Sequence, residues 1–297
     1  MFKKVVIAGV GLIGGSLGLA LTRKKLAREV VGVDPDLENL KLAVCMGAVG
    51  RAGTLSEELP TADLLILATP IGVTLGVLEM ARPYLAPGTI VTDVGSVKGR
   101  LVERAEAMLP SRVYFVGGHP MAGRELAGVA GAREDLFTGA AYVLTPTAST
   151  NPAALHVLRQ LVQALGAIPL ELSCRQHDRA VALISHLPHL LAATLVNTAA
   201  GEADCELLLK LAAGGFRDTT RIAAGNPAMW RDILLTNRDM VLQAVKNFRQ
   251  QLTTVEQAIR AFEREELVQK LAAAREIRQN LPENRKHVLA ELHENEG

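Results

Sequence analysis

Short apolar runs alternate with amphipathic stretches through the first 172 residues of the chain. The runs are Val5-Val6-Ile7-Ala8, Val30-Val31-Gly32-Val33, Ala62 to Ala68, Thr89 to Asp93 and Val113 to Val116. Each has the length of a strand and ends near glycine, proline or an acid. Between them, as in Ser16 to Leu26, apolar residues recur at helical spacing. Strand-like and helix-like patterns in alternation predict parallel βαβ units. The unbroken Ala62–Ala68 run suits a strand buried on both faces. Ala141–Leu144 and Ile168–Leu172 are expected to complete the sheet, with a helix opening at Asn151-Pro152 and Asn151 as its cap. From about Ser173 the β-like runs disappear. Gln176–Ala200, interrupted at Pro188, reads as one long helix, Glu202–Ala213 as another stopped by Gly214-Gly215, and Pro227–Ile259 as at least one more. The densely charged tail from Glu263 reads as solvated helix. A boundary near 172 therefore divides a domain of residues 1–172 from a helical domain of residues 173–297.

What lies between the first two apolar runs gives the first domain a purpose. Gly9-Val10-Gly11-Leu12-Ile13-Gly14 follows the first run directly, a helical stretch follows it, and Asp34 ends the second run. Strand, glycine turn, helix, strand and acid is the arrangement of a dinucleotide-binding Rossmann domain. Gly9 permits the tight turn, Gly11 leaves room for the pyrophosphate, and Gly14 lets the helix pack closely. The leading N–H groups of the helix, including those of Leu12 and Ile13, point at the phosphates. Asp34 accepts hydrogen bonds from the adenosine ribose and repels a 2′-phosphate, so NAD is expected rather than NADP. Thr69-Pro70 ends another strand on the same edge. The expected fold class is thus an α/β Rossmann domain with a parallel sheet, followed by an all-α domain that often forms a dimer interface.

Composition narrows the partners. The formal net charge is +1 and aromatic residues make up 3% of the chain, so neither a charged surface nor a stacking pattern for nucleic acid is present. Three separated cysteines, Cys45, Cys174 and Cys205, read as free thiols in a reducing compartment. No leader is recognised before the first strand, no mutase-like segment precedes it, and no apolar run is judged long enough to span a bilayer. A cytoplasmic enzyme of small molecules is expected, without nucleic-acid or membrane partners.

In an open parallel sheet, ligands bind beyond the carboxyl ends of the strands. One strand leads into Asp93-Val94-Gly95-Ser96-Val97-Lys98 and the next into Gly117-Gly118-His119-Pro120-Met121-Ala122-Gly123. Ser96 and His119 are therefore expected side by side at the nicotinamide end, where an alcohol oxidation needs a base. Histidine suits that task, since its ordinary pKa of ~6.5 lies near working pH. In the helical half, Ser185-His186-Leu187-Pro188-His189 puts Ser185 and His189 on one face if the helix persists through Pro188. No acidic or thiol partner completes a metal set around His186 and His189, so no metal is expected and His186 reads as structural. Gly214-Gly215-Phe216-Arg217-Asp218-Thr219-Thr220-Arg221 offers two arginines, one expected to be held by Asp218 and the other to face an anionic ligand.

Taken together, these segments resemble the prephenate dehydrogenase family of tyrosine biosynthesis over nearly the whole chain. The resemblance rests on GVGLIGGS (9–16), DVGSVK (93–98), GGHPMAG (117–123), SHLPH (185–189) and GGFRDTTRIA (214–223), followed by Asn226-Pro227-Ala228-Met229-Trp230. It implies oxidative decarboxylation of prephenate to 4-hydroxyphenylpyruvate with NAD, and a homodimer formed by the helical domain. His119 then matches the histidine that hydrogen-bonds the ring hydroxyl, and Ser96 the serine bridging it to the nicotinamide. Arg221 matches the arginine on the ring carboxylate and His189 a histidine near the substrate side chain. Ser185, Gly214, Met229 and Trp230 belong to the same implied pocket. Glu125 and Asp178 match acids associated with access to the site. Where the family usually continues Thr-Glu after GGHPMAG, this chain has Arg124-Glu125, a long cation near the implied substrate pocket.

Three rivals stand beside this reading. Arogenate dehydrogenase performs the same reaction on the amino analogue, and His189 favours prephenate over it; dual specificity is the intermediate case. A β-hydroxyacid dehydrogenase would depend on a helical-domain lysine, but neither Lys210 nor Lys246 lies in a glycine-rich context. A non-catalytic dinucleotide sensor would not need Ser96, His119, His189 and Arg221 together.

Overall fold

The computed structural model describes residues 1–123 and 128–281. They divide into two compact units, the first running from Met1 to Asp178 and the second beginning at Arg179.

The first unit is built on an eight-stranded sheet: β1 (Phe2–Ala8), β2 (Ala27–Val33), β3 (Arg51–Ala52), β4 (Leu64–Leu67), β5 (Ile90–Asp93), β6 (Tyr114–Pro120), β7 (Ala141–Thr145) and β8 (Ile168–Glu171). Its helices are α1 (Leu12–Arg23), α2 (Leu37–Cys45), α3 (Leu55–Glu58), α4 (Ile71–Ala81), α5 (Gly99–Met108), α6 (Pro152–Ala164) and α7 (Cys174–Val181), the last crossing into the second unit. The strand order is β3-β2-β1-β4-β5-β6-β7-β8. The chain winds outward from β1 to β3, returns past β1 and continues the other way, so the switch point lies between β1 and β4. Strands β4 and β5 are buried along their whole length, as a doubly covered parallel sheet requires. Two apolar layers flank the sheet, one around Val5, Ile7, Leu17 and Leu21, the other around Val6, Leu65, Leu67 and Leu78. Asn151 caps α6 through its side chain, which accepts the Ala154 N–H at 3.0 Å.

One strand departs from the all-parallel expectation. β7 runs antiparallel to β6, pairing Gly117 with Thr145 and Pro120 with Tyr142. Among the described residues the intervening segment holds only a 3-10 turn, Val129–Gly131, so no crossover helix carries the chain back to the start of the sheet. The pairing also lengthens β6. Its parallel register with β5 ends at Val116, yet β7 continues the ladder to Pro120. His119 therefore stands on a strand rather than in the loop that Gly117-Gly118 and Pro120 suggest.

The second unit contains α8 (Leu187–Ala200), α9 (Cys205–Leu211), α10 (Gly214–Thr220), α11 (Pro227–Thr236), α12 (Arg238–Arg260) and α13 (Arg264–Gln279). Between α7 and α8 lies a π turn, Ala182–His186, so Cys174–Ala200 is one continuous helix. Pro188 explains the π turn: it has no N–H to donate, and its ring would press on the carbonyl one turn back, which the wider winding relieves. By length and composition this helix is long enough and apolar enough to cross a membrane, contrary to the expectation for this chain; 33% of its most apolar window is buried inside the protein. Gly214-Gly215 opens α10 rather than merely ending the helix before it. The buried core of the unit is small, with Ala182, Leu187, Val241 and Ala244 at its centre.

Candidate active site

Each unit carries one group of candidate residues. In the first, the glycine turn bridges the end of β1 and the start of α1 at the switch point. Gly9 has φ +91°, and a Cβ there would stand 2.6 Å from the Ala68 carbonyl oxygen at the end of β4. A Cβ on Gly14 would come within 1.9 Å of the Gly9 carbonyl oxygen, so Gly14 lets α1 close on its own turn. Gly11, the residue before α1, has open space where its side chain would be. No side chain caps α1, which leaves its leading amides, Leu12 and Ile13 among them, suited to an anion. Asp34 is pinned on both sides: Oδ2 accepts the Val10 N–H at 2.8 Å and Oδ1 the Asp36 N–H at 2.9 Å. Each oxygen keeps a further lone pair for a ribose hydroxyl. Thr69 and Pro70 follow β4 on the same edge, and the Thr69 hydroxyl lies 3.0 Å from that of Thr74. An uncapped helix, a vacant Cβ position and an oriented carboxylate fit a dinucleotide.

Farther along the edge, a fully buried ion pair ties β5 to β6. The Lys98 ammonium donates to Asp93 and, at 2.7 Å, to the Gly118 carbonyl oxygen. Asp93 also accepts the N–H groups of Gly95 at 2.7 Å and Gly118 at 3.2 Å. Burial pulls the Lys98 pKa down from its ordinary value, and the Asp93 charge opposes that fall. Removing one partner would strand the other in a dry interior, so the pair holds the turn bearing Ser96 against the residue preceding His119. Ser96 is half-buried in that turn.

His119 heads a row of three side chains. His119 Nδ1 lies 2.8 Å from His177 Nε2, the rings meeting edge to face with centroids 5.0 Å apart. His177 is 1% exposed, and its Nδ1 lies 2.8 Å from Asp178 Oδ1. Asp178 accepts the Lys98 N–H through Oδ1 and the Gly99 N–H through Oδ2, both at 2.8 Å, at the start of α5. The access role implied for Asp178 thus falls on a buried side chain anchored to a helix end. Arg124 and Glu125 lie outside the described residues.

In the second unit, His189 stacks on Trp230 with ring centroids 3.7 Å apart and planes 9° from parallel. Among the described residues its buried Nδ1 has no hydrogen-bond partner. Burial moves the His189 pKa below its ordinary value, opposed by the Ile222 backbone. His186, buried on the π turn, reaches the Asn237 side chain at 3.2 Å, where α11 meets α12. That contact joins helices and suits the structural role read for His186. Ser185 is half-exposed on the same turn, whose wider winding departs from the helical spacing expected between it and His189. Asn226 caps α11, accepting the Ala228 and Met229 N–H groups at 2.9 and 3.1 Å. Met229 is exposed, as are Gly214 and Arg221. The expected pairing of an arginine with Asp218 is not formed: Arg217 donates to the Ala212 carbonyl oxygen at 3.1 Å, and among the described residues Asp218 makes no ion pair.

Sequence reasoning passed over His177. Its one signal is adjacency to an acid in Gln176-His177-Asp178, at the point where the β pattern gives way to helix.

Comparison with known proteins follows the same two parts. Residues 17–169 match the family model described as prephenate dehydrogenase, nucleotide-binding domain, and residues 173–273 that of prephenate dehydrogenase, dimerization domain. The chain is 39% identical to the prephenate dehydrogenase of Bacillus subtilis (strain 168) over 285 residues, covering 95% of this chain and 77% of that protein. The crystal structure of the Aquifex aeolicus prephenate dehydrogenase in complex with hydroxyphenyl propionate and NAD+ is similar at a TM-score of 0.90 and 33% identity, covering 95% of this chain and 99% of that one. The Synechocystis arogenate dehydrogenase is similar at 0.82 and 38% identity, with 94% and 100% covered.

Proposed function

The chain belongs to the prephenate dehydrogenase family, and from that membership we propose how its residues oxidise and decarboxylate prephenate to 4-hydroxyphenylpyruvate with NAD, a step of tyrosine biosynthesis. The observation that carries the assignment of roles is the position of His119: on a strand at the carboxyl edge of the sheet, backed by a buried histidine–aspartate pair, beside the turn that bears Ser96. The Gly9–Gly14 turn would hold the NAD pyrophosphate and Asp34 the adenosine ribose, and NAD bound there would supply the acceptor for the hydride of the ring carbon. His119 accepts the proton of the ring hydroxyl as the carbonyl forms, and the Ser96 hydroxyl orients that oxygen toward both groups. Arg221 grips the ring carboxylate, whose departure as carbon dioxide is driven by aromatisation. His189, kept neutral by burial, addresses the side-chain keto acid, and Trp230 fixes its ring plane. Ser185, Gly214 and Met229 line the same pocket, with Arg124 a further cation for a carboxylate and Glu125 an access group. The protein supplies a base, an anchor and alignment.

A second substrate has specific support in the 38% identity to an arogenate dehydrogenase. Neutral His189 is the residue that discriminates, since a keto group and an ammonium ask opposite things of an imidazole. Initial rates with prephenate and arogenate, each with NAD and NADP, test the proposal. Fastest NADH formation from prephenate supports it; a preference for arogenate or for NADP replaces the substrate or the cofactor respectively. We assign a homodimer to the helical unit, supported by its small buried core and by exposed apolar side chains such as Ile184, Leu195 and Leu242. A cytoplasmic location belongs to the same reading.

A further inference from the structure

The row His119–His177–Asp178 has a consequence for which nitrogen of His119 takes the proton. We infer that His177 and Asp178 are positioning residues that fix His119 in the tautomer protonated at Nδ1, leaving the Nε2 lone pair as the acceptor. This rests on the reading of His119 as the proton acceptor and assigns the atom that performs it.

The argument starts at the far end of the row. Asp178 accepts backbone N–H groups on both carboxylate oxygens, those of Lys98 and Gly99. With both oxygens accepting amide protons at the start of α5, the side chain is read as a carboxylate, which can only accept. The contact at 2.8 Å between Asp178 Oδ1 and His177 Nδ1 therefore has the imidazole donating. With its proton on Nδ1, neutral His177 presents a lone pair at Nε2. That nitrogen lies 2.8 Å from His119 Nδ1, so His119 donates there. One proton remains to be placed in a neutral His119 ring, and Nδ1 holds it. Nε2 is then basic by exclusion.

The competing protonation pattern puts two protons on His177, which then donates to both neighbours and reverses His119. It would set a cation on a ring that is 1% exposed. The Asp178 carboxylate would offset part of that charge, but a cation in so dry a place still loses its solvation. The neutral row needs no buried cation and leaves no donor facing a donor.

When His119 accepts the hydroxyl proton, it becomes an imidazolium with Nδ1–H already bonded to His177, and the polarity of the row stabilises that charge without rearrangement. This division of labour resembles the buried carboxylate that orients a catalytic histidine in hydrolases, with an extra imidazole between them. It also explains the burial of Asp178. A carboxylate that sets a tautomer at one remove works best dry and anchored, at the end of α5 that also closes the Ser96 turn.

The direct test is long-range ¹H–¹⁵N NMR of the histidine rings in the full chain, unliganded and above neutral pH. His119 is expected to show a protonated Nδ1 and a bare Nε2; the reverse pattern in the wild type overturns the inference without any variant. Asp178→Asn can donate an amide proton to His177 Nδ1, reversing the row, and is expected to move the His119 proton to Nε2. It and His177→Leu should lower kcat on the order of 10²-fold or more, as a mis-set tautomer does elsewhere. KM for substrate and the NAD dissociation constant should stay within about threefold, within the factor-of-ten step of ~1.4 kcal/mol. His177→Gln offers an acceptor to His119 and a donor to Asp178, and is expected to recover most of the lost kcat. A His177→Leu protein with wild-type kcat, or a His177→Gln protein no better than it, overturns the assignment. Correct tautomers together with full turnover by His119→Asn would instead refute the base itself.

Discussion

The two units solve opposite problems with the same chain. In the first, buried apolar residues fill both sides of an eight-stranded sheet, and the Asp34, Asp93, Lys98 and His119 side chains are held by hydrogen bonds or an ion pair. Lys98 and Asp93 are fully buried, and His119 is fixed by strand pairing in front and by His177 behind. The second unit has a small core centred on Ala182, Leu187, Val241 and Ala244, while large apolar side chains along α8, α9, α12 and α13 are exposed. Its candidate ligand residues, Arg221, Met229 and Gly214, are exposed on short elements. Groups that must hold a proton within a fraction of an ångström sit on the self-sufficient scaffold. The groups proposed to grip the substrate sit in a unit whose helices expose large apolar side chains.

Four substitutions probe that contrast, from the largest effect to the smallest. His119→Asn should lower kcat roughly 10²- to 10⁴-fold, the range of a general base, while leaving NAD affinity in place. Steady-state rates and NAD titration check both halves, and normal turnover would remove His119 from the chemistry. Arg221→Ala should act on KM instead, raising it roughly ten- to a hundredfold, as expected for a charged hydrogen bond worth ~1.5–3 kcal/mol. A fall in kcat at constant KM would place this arginine with the rigid groups and erase the division of labour. Within the glycine turn, Gly14→Ala should cost about 1–3 kcal/mol of stability by overpacking against the Gly9 carbonyl. Gly11→Ala meets open space and should weaken NAD binding with Tm unchanged. Thermal melts with and without NAD separate the two, and equal losses of Tm would contradict the open phosphate position.

The smallest effect concerns pH. Because burial lowers the His189 pKa, the unfolded chain binds a proton at that ring more readily than the native protein does. Stability is therefore fully present above the ordinary value of 6.5 and is lost as pH falls through the lowered native value. Melting curves between pH 7.5 and 5 should show this decline, and His189→Gln should flatten it. An unchanged slope in the variant would mean that other groups govern the acid limb.

Legibility in the sequence followed the range of the forces. The glycine turn, Asp34 and the Asn151 cap were readable because each acts within a few residues of itself. So was the change from sheet to helix, since periodicity is a local pattern. The direction of β7 was not, because it depends on the connection from β6, which among the described residues holds only a 3-10 turn, rather than on the strand's own residues. The same pairing drew Gly117-Gly118-His119-Pro120 into a strand although three of the four are turn formers. Pro188 announced a break in the helix but not its form, a π turn that keeps the helix going. His177 was invisible because its meaning lies in His119, far away along the chain and adjacent only once β6 and α7 have packed. Asp178 was noticed as an access group, and its contacts with the Lys98 and Gly99 amides were beyond the reach of sequence because they join residues 80 and 79 positions apart.

The central claim is that the His119 imidazole takes the proton of the substrate's ring hydroxyl. A crystal structure of the protein with NAD and a 4-hydroxyphenyl carboxylate tests it most directly. The expected result has the phenol oxygen within hydrogen-bond reach of His119 Nε2. A bound ligand whose phenol oxygen is held elsewhere, with His119 facing away from it, would contradict the account.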